Sequence, residues 1–229
     1  MIEYLFLNGF SSNNNLYKNI KRYAYVHELK IHFINWNKEI NKLNNIRDLY
    51  KIDNNSRYIL IAHSWGCQIA FKFYNYYYKN IDKIILIDYH PLYNILDDTI
   101  NKKDLVAGFF PKCSCYKKNS YNKVYKSIRL KNIRIISEKI RYNKRLNDKL
   151  IRLINKNNTK IYFIYSTGIN LDKKRNIVHM CVNSKNRKKI INSSKLFIKQ
   201  KLKKIKILYR SSHYWFLDSS KNINIIFSK

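Results

Sequence analysis

At 229 residues, 45% of them apolar, the chain has the length and composition of one globular domain with a sizeable core. Four cysteines without a companion Cys/His cluster exclude a disulfide framework, and no apolar run approaches membrane-spanning length. Lys+Arg number 46 against 14 for Asp+Glu, a net charge of +32 that taken alone is the footprint of a nucleic-acid or anionic-membrane binder.

Residues 2–7 read as a buried strand that runs into the turn Asn8-Gly9-Phe10-Ser11-Ser12. Residues 14–26 carry Leu16, Tyr17, Ile20, Tyr23 and Ala24 at helix spacing. A second strand is expected over 31–36, and a second helix over 37–50 with Ile40, Leu43, Ile46 and Leu49 on one face. The third strand is expected at 58–62, a helix at 67–78 and a fourth strand at 84–87. Strands alternating with helices imply parallel pairing through right-handed crossovers: an α/β fold, doubly wound and mostly parallel, with helices on both faces.

After Asp88-Tyr89-His90-Pro91 the alternation stops. Residues 92–158 are basic and aromatic, with helical stretches at 124–130 and 136–154, and are expected to form a helical cap within a single domain, 1–229. The alternation resumes with a strand at 161–165, a turn at Ser166-Thr167-Gly168, a helix within 185–200 and a strand at 205–209. Residues 223–227 close the chain as a short element.

The charge is discounted on two grounds. Lys, Asn, Ile and Tyr abound while Gly, Pro and Ala are scarce, the bias of A/T-rich codons, and the basic residues are spread along the chain rather than gathered in a stripe. Nucleic acid is therefore the alternative partner, and residues 117–145 are the stretch that would supply the basic, aromatic surface it needs. Cys113 and Cys115 stand too close for an ordinary metal pair, and Cys67 is expected to pack in the helix of 67–78. A reducing, cytoplasmic compartment is expected, and residues 1–7, short and carrying an acid, do not read as a signal peptide.

The densest signal is Tyr58-Ile59-Leu60-Ile61-Ala62-His63-Ser64-Trp65-Gly66-Cys67. An apolar run ends at Ser64, and Ile69, Ala70, Phe73 and Tyr74 begin a helical pattern at once. A strand that becomes a helix within two or three residues forces a sharp bend. That bend pushes the Ser64 hydroxyl outward and aims the first N–H groups of the helix at whatever binds there. The chain holds four glycines, and one of them, Gly66, stands two residues after this serine. An ordinary β–α turn with an inert serine is the alternative.

Ala62-His63-Ser64-Trp65-Gly66 resembles the nucleophile elbow of the α/β-hydrolase family, G-x-S-x-G, with Ala in the first small position. The strand and helix layout is similar to that family along nearly the whole chain, starting at the strand before the oxyanion loop. The resemblance implies Ser64 as nucleophile and a Ser, acid, His order. His27, His32 and His63 precede Ser64, whereas His213 lies after the last strong strand, where the family carries its base. His63 is expected to face the sheet or a pocket wall. Asp172 follows the strand of 161–165, the family's usual place for the acid, although four residues past Gly168 rather than two or three. Asp88, at the end of the previous strand, is the alternative acid, with Asp97 and Asp98 behind it. A helix N-cap is the structural alternative for Asp172. The resemblance assigns the oxyanion hole to the N–H groups of Trp65 and of Phe10, the latter in an Asn8-Gly9-Phe10 turn similar to the family's His-Gly-x.

The expected activity is hydrolysis of a carboxylic ester or thioester with no metal or organic cofactor. Small esterases and thioesterases that act on carrier-bound acyl groups, including pimeloyl-carrier-protein methyl esterases, are the nearest resemblance. The substrate is thus a small or carrier-protein-bound acyl ester.

Overall fold

A computed structural model describes residues 2–9, 14–36, 45–89, 118–127, 144–167, 203–209, 214–218 and 222–227. Six strands form one sheet: β1 (Ile2–Leu7), β2 (Ile31–Ile34), β3 (Arg57–His63), β4 (Ile81–Ile87), β5 (Lys160–Thr167) and β6 (Lys203–Tyr209). Their order is β2-β1-β3-β4-β5-β6, and every pairing is parallel. Central strands of such a sheet are covered on both faces, so they read as unbroken apolar runs. Leu60, Ile61 and Ala62 of β3 and Ile84, Leu86 and Ile87 of β4 are accordingly fully buried.

The helices are α1 (Lys18–Val26), α2 (Gly66–Tyr77), α3 (Lys118–Ser127), α4 (Lys144–Lys156), α5 (Trp215–Asp218) and α6 (Asn224–Phe227). Side chains alternate across a strand. Tyr4 and Phe6 of β1 therefore share one face, where Phe6 meets Tyr17 at a ring distance of 4.9 Å and Tyr4 meets Phe227 at 5.3 Å. α1 and α5 pack together, while α2 packs on β1, β3, β4 and α4. Among the described residues, no helix is long and apolar enough to cross a membrane.

Within the described residues strands and helices follow the expected order, with three instructive differences. The helix expected over 37–50 does not run to its end: residues 37–44 lie outside the described part, and Ile46–Leu49 is a single 3₁₀ turn between extended Asn45 and Tyr50. Asn45 Nδ2 donates to Asp48 Oδ1 at 2.9 Å across that turn. Second, α4 falls inside the stretch assigned to the cap, yet it packs on α2 with Leu150 and Ile154 fully buried. It is the crossover that parallel β4 and β5 require. Third, β2 stops at Ile34, because Trp36 turns its indole N–H onto Asn8 O at 2.6 Å. The helix expected within 185–200 lies outside the described residues.

The chain winds from β1 outward to β2 and then returns past β1 to start β3. That reversal is the topological switch point of a doubly wound sheet, where loops from adjacent strands part and leave a crevice at the carboxyl ends. The residues that follow β1 and β3, namely Asn8-Gly9 and Ser64-Trp65, stand on either side of it.

Candidate active site

Ser64 sits one residue past β3 with φ 55°, in the left-handed region that L-residues other than Asn and Asp seldom enter. Its backbone N–H still donates to Ile87 O of β4 at 2.8 Å, and its carbonyl accepts the Cys67 N–H at 3.0 Å, the first turn of α2. Strand ladder and helix thus meet within one residue. The left-handed torsion makes that possible and stores strain of about 1–2 kcal/mol. Ser64 is 5% exposed.

Two glycines set how closely the neighbouring chain approaches. A Cβ on Gly66 would lie 2.4 Å from Asn8 O and 2.6 Å from Leu7 O, both rigid backbone atoms. A Cβ on Gly9 would lie 2.8 Å from His63 Nδ1 and 3.3 Å from Ser64 Cβ. The turn after β1 is therefore pressed against the elbow. Asn8 O is held by Trp36 Nε1, and Gly9 N–H donates to Tyr17 Oη at 2.7 Å.

His63 is fully buried. Its Nδ1 lies 3.0 Å from Tyr17 Oη, and its ring packs edge-on against Tyr214 at 5.1 Å and Phe216 at 5.2 Å. The residue beside the serine is thus held away from it, as the alternation of strand side chains requires. Cys67 is also fully buried, with its thiol donating to Ala62 O. Burial, reinforced by the nearby Asp88 carboxylate, pushes that thiol well above its ordinary range, so it packs rather than reacts.

Asp88 follows β4 as Ser64 follows β3, with φ 52° and no exposure. Ser166, near the end of β5, grips both of its carboxylate oxygens. Its N–H donates to Oδ1 at 2.6 Å and its Oγ–H to Oδ2 at 2.7 Å. Ser64, Trp65 and Asp88 are thus gathered at the carboxyl edge of the sheet. Phe10, Asp172 and His213 lie outside the described residues, as do Asp97 and Asp98. Gly9 and Tyr214, the chain neighbours of Phe10 and His213, both lie against His63. Sequence reasoning had no sign of the roles of Tyr17 and Ser166, since a buried tyrosine and a strand-end serine carry no distinguishing pattern.

No protein-family model and no curated protein matches the chain by sequence. Solved structures do match. A carboxylesterase of the thaumarchaeon Nitrososphaera gargenis superposes with a TM-score of 0.64 at 11% identity, over 99% of this chain and 88% of that one. A lipase-esterase related protein of Clostridium acetobutylicum gives 0.64 at 13% identity, over 97% and 91%. A methylesterase of Arabidopsis gives 0.60 at 10% identity, over 99% and 98%. These likenesses, each spanning 88% or more of the matched chain, give this chain the α/β-hydrolase fold, in which its own parallel sheet, switch point and left-handed Ser64 stand.

Proposed function

We propose that the chain is a serine hydrolase that cleaves a carboxylic ester or thioester of an acyl group. The observation that carries this is the Ser64 torsion of 55° at the junction of β3 and α2, against a turn packed too tightly for a Cβ at Gly66. Strain of this kind persists where the surroundings enforce it, and here it lifts a hydroxyl to the start of a helix. Ser64 Oγ attacks the acyl carbonyl, and its proton passes to His213, which Asp172 orients. The tetrahedral oxyanion is met by the N–H groups of Trp65 and Phe10. Gly9 N–H is engaged by Tyr17, which supports Phe10 as the donor from that turn. The leaving alcohol or thiol takes the proton from His213, and water then releases the acyl group from Ser64 by the same steps.

A second reading of the acid has its own support: Asp88 is a buried carboxylate one residue past the strand next to the elbow. The substrate is a small acyl ester or one presented by an acidic carrier protein. Lys117, Lys118, Arg129, Lys131 and Arg134 in the inserted stretch would steer such a carrier. Raising salt should then lower kcat/KM for a carrier-bound substrate and leave a short neutral ester unchanged; equal responses would remove the carrier. The activity itself is tested by labelling with a fluorophosphonate probe and mapping the modified residue. Ser64 is the expected site, and labelling elsewhere with Ser64 untouched overturns the assignment.

A further inference from the structure

We infer that Tyr17 is a positioning residue, a brace that fixes the oxyanion turn, the nucleophile elbow and the segment after the base relative to one another. It rests on the serine-hydrolase reading above and names a component which that reading does not contain. Tyr17 ends the 3₁₀ turn Asn14–Tyr17 and is fully buried. Its hydroxyl accepts the Gly9 N–H at 2.7 Å and lies 3.0 Å from His63 Nδ1. Its ring stacks on Phe216, 5.2 Å between centroids at 25°, and leans on Phe6 at 4.9 Å. Gly9 precedes Phe10, His63 precedes Ser64, and Phe216 follows His213 by three residues. One side chain therefore touches the immediate neighbourhood of a donor, the nucleophile and the base.

The sheet alone cannot do this. Ladder pairing between β1 and β3 ends at Leu7 and Ala62, and the chemistry lies beyond it. Past that point the close approach allowed by Gly66 and Gly9 brings turn and elbow together, and Tyr17 bonds to a residue of each. An oxyanion donor displaced by a fraction of an ångström loses much of its worth, because the hydrogen bond must be in place before charge develops. An N–H held by the phenol is also withdrawn from the oxyanion, which passes that duty to the next residue in the turn.

Tyr17→Phe tests the brace, since it keeps the ring and its stacking and removes only the oxygen. Turnover of a short ester should fall about 10- to 100-fold in kcat, the scale of a small misplacement of reacting groups, with KM nearly unchanged. Affinity for an arylboronic acid, which mimics the tetrahedral intermediate, should fall by the same factor. The kcat is counted per probe-titrated active site, so that unfolded protein does not contribute. Amide hydrogen exchange at Gly9 should quicken in the variant with or without turnover. The brace is overturned if kcat per titrated site stays within twofold of the parent, or if boronate affinity and Gly9 exchange are unchanged. A Ser64→Ala variant run alongside separates the failures. If it retains full turnover, the hydrolase reading falls and the positioning role with it, whereas loss of turnover in Ser64→Ala with an unaffected Tyr17→Phe removes the brace alone.

Discussion

At the amino ends of its strands the sheet is fastened by charge. Glu3 of β1 binds Lys30 Nζ at 2.6 Å and His32 Nε2 at 2.7 Å, Arg57 pairs with Asp82 across β3 and β4, and Lys83 lies over the Tyr162 ring. At the carboxyl ends the same strands are fastened by buried hydrogen bonds, the Asp88 carboxylate with Ser166 among them, by packed aromatic rings and by two left-handed residues, Ser64 and Asp88. Ion pairs with at least one partner in water, as Lys30 and Arg57 are here, tolerate loose geometry and hold little strain. Buried hydrogen bonds with strained torsions hold atoms to a fraction of an ångström at a cost in stability. On the proposed function, the chemistry belongs to the carboxyl ends and the amino ends serve stability, so substitutions at the two ends should separate the two properties.

The largest effect is expected at Ser64. Ser64→Ala should lower turnover by on the order of 10⁴-fold or more while leaving Tm unchanged, because Ala adopts the same strained torsion. Ser64→Gly should lose activity equally and raise Tm, since glycine relieves about 1–2 kcal/mol of left-handed strain. A fall in Tm on Ser64→Gly would show that the elbow is not a reservoir of strain. Next come the acids. Asp172→Asn should lower kcat by about 10⁴-fold, through loss of the correct imidazole tautomer, with thermal melting unchanged. Asp88→Asn should lower Tm, because the amide cannot accept both Ser166 bonds. If instead Asp88→Asn removes activity and Asp172→Asn does not, the acid belongs to β4.

What was legible in the sequence follows the same division. β3 and β4 announce themselves as apolar runs, and the elbow is visible because a serine and a scarce glycine fall where the period changes from strand to helix. β4 was expected from residue 84 but begins at Ile81, since Asp82 and Lys83 look like turn residues until their partners Arg57 and Tyr162 are known. α4 lies within the stretch expected to form a cap, and its packing on α2 is a long-range fact that no local pattern carries. The Tyr17 hydroxyl meets partners 8 and 46 residues away, a separation that no local pattern encodes.

Gly66 tests the packing at the site end. Gly66→Ala improves helix propensity by up to about 1 kcal/mol, so a stability gain is the outcome if nothing else matters. Instead the new Cβ would meet the carbonyls of Leu7 and Asn8, which cannot turn aside as a side chain would. Overpacking of that kind costs about 1–3 kcal/mol. The expected result is a lower Tm together with loss of probe labelling at Ser64, because relief of the clash moves the turn after β1 away from the elbow. Unchanged labelling would mean that the turn moves without consequence for the serine.

The smallest effect is expected at the charged end, and it should touch stability alone. The hydrogen bond from Lys30 holds the Glu3 carboxyl below its ordinary range, with His32 adding to it against the opposing effect of burial, and Glu3 in turn raises Lys30. A depressed carboxylate stabilises the fold above its unfolded-state pKa, and that contribution is lost as pH falls through the lower folded value. Raised Lys30 contributes below its unfolded-state pKa, so at neutral pH both contributions are present in full. Glu3→Gln should therefore lower Tm at pH 7 by on the order of 3 °C, with the gap between variant and parent closing as pH falls below the ordinary carboxylate range. Turnover at pH 7 and 25 °C should be unchanged, since Glu3 lies at the opposite end of β1 from Gly9. A gap in Tm that persists undiminished into acid would mean that Glu3 acts through shape rather than charge, and a matching loss of turnover would mean that the two ends of the sheet are not separable.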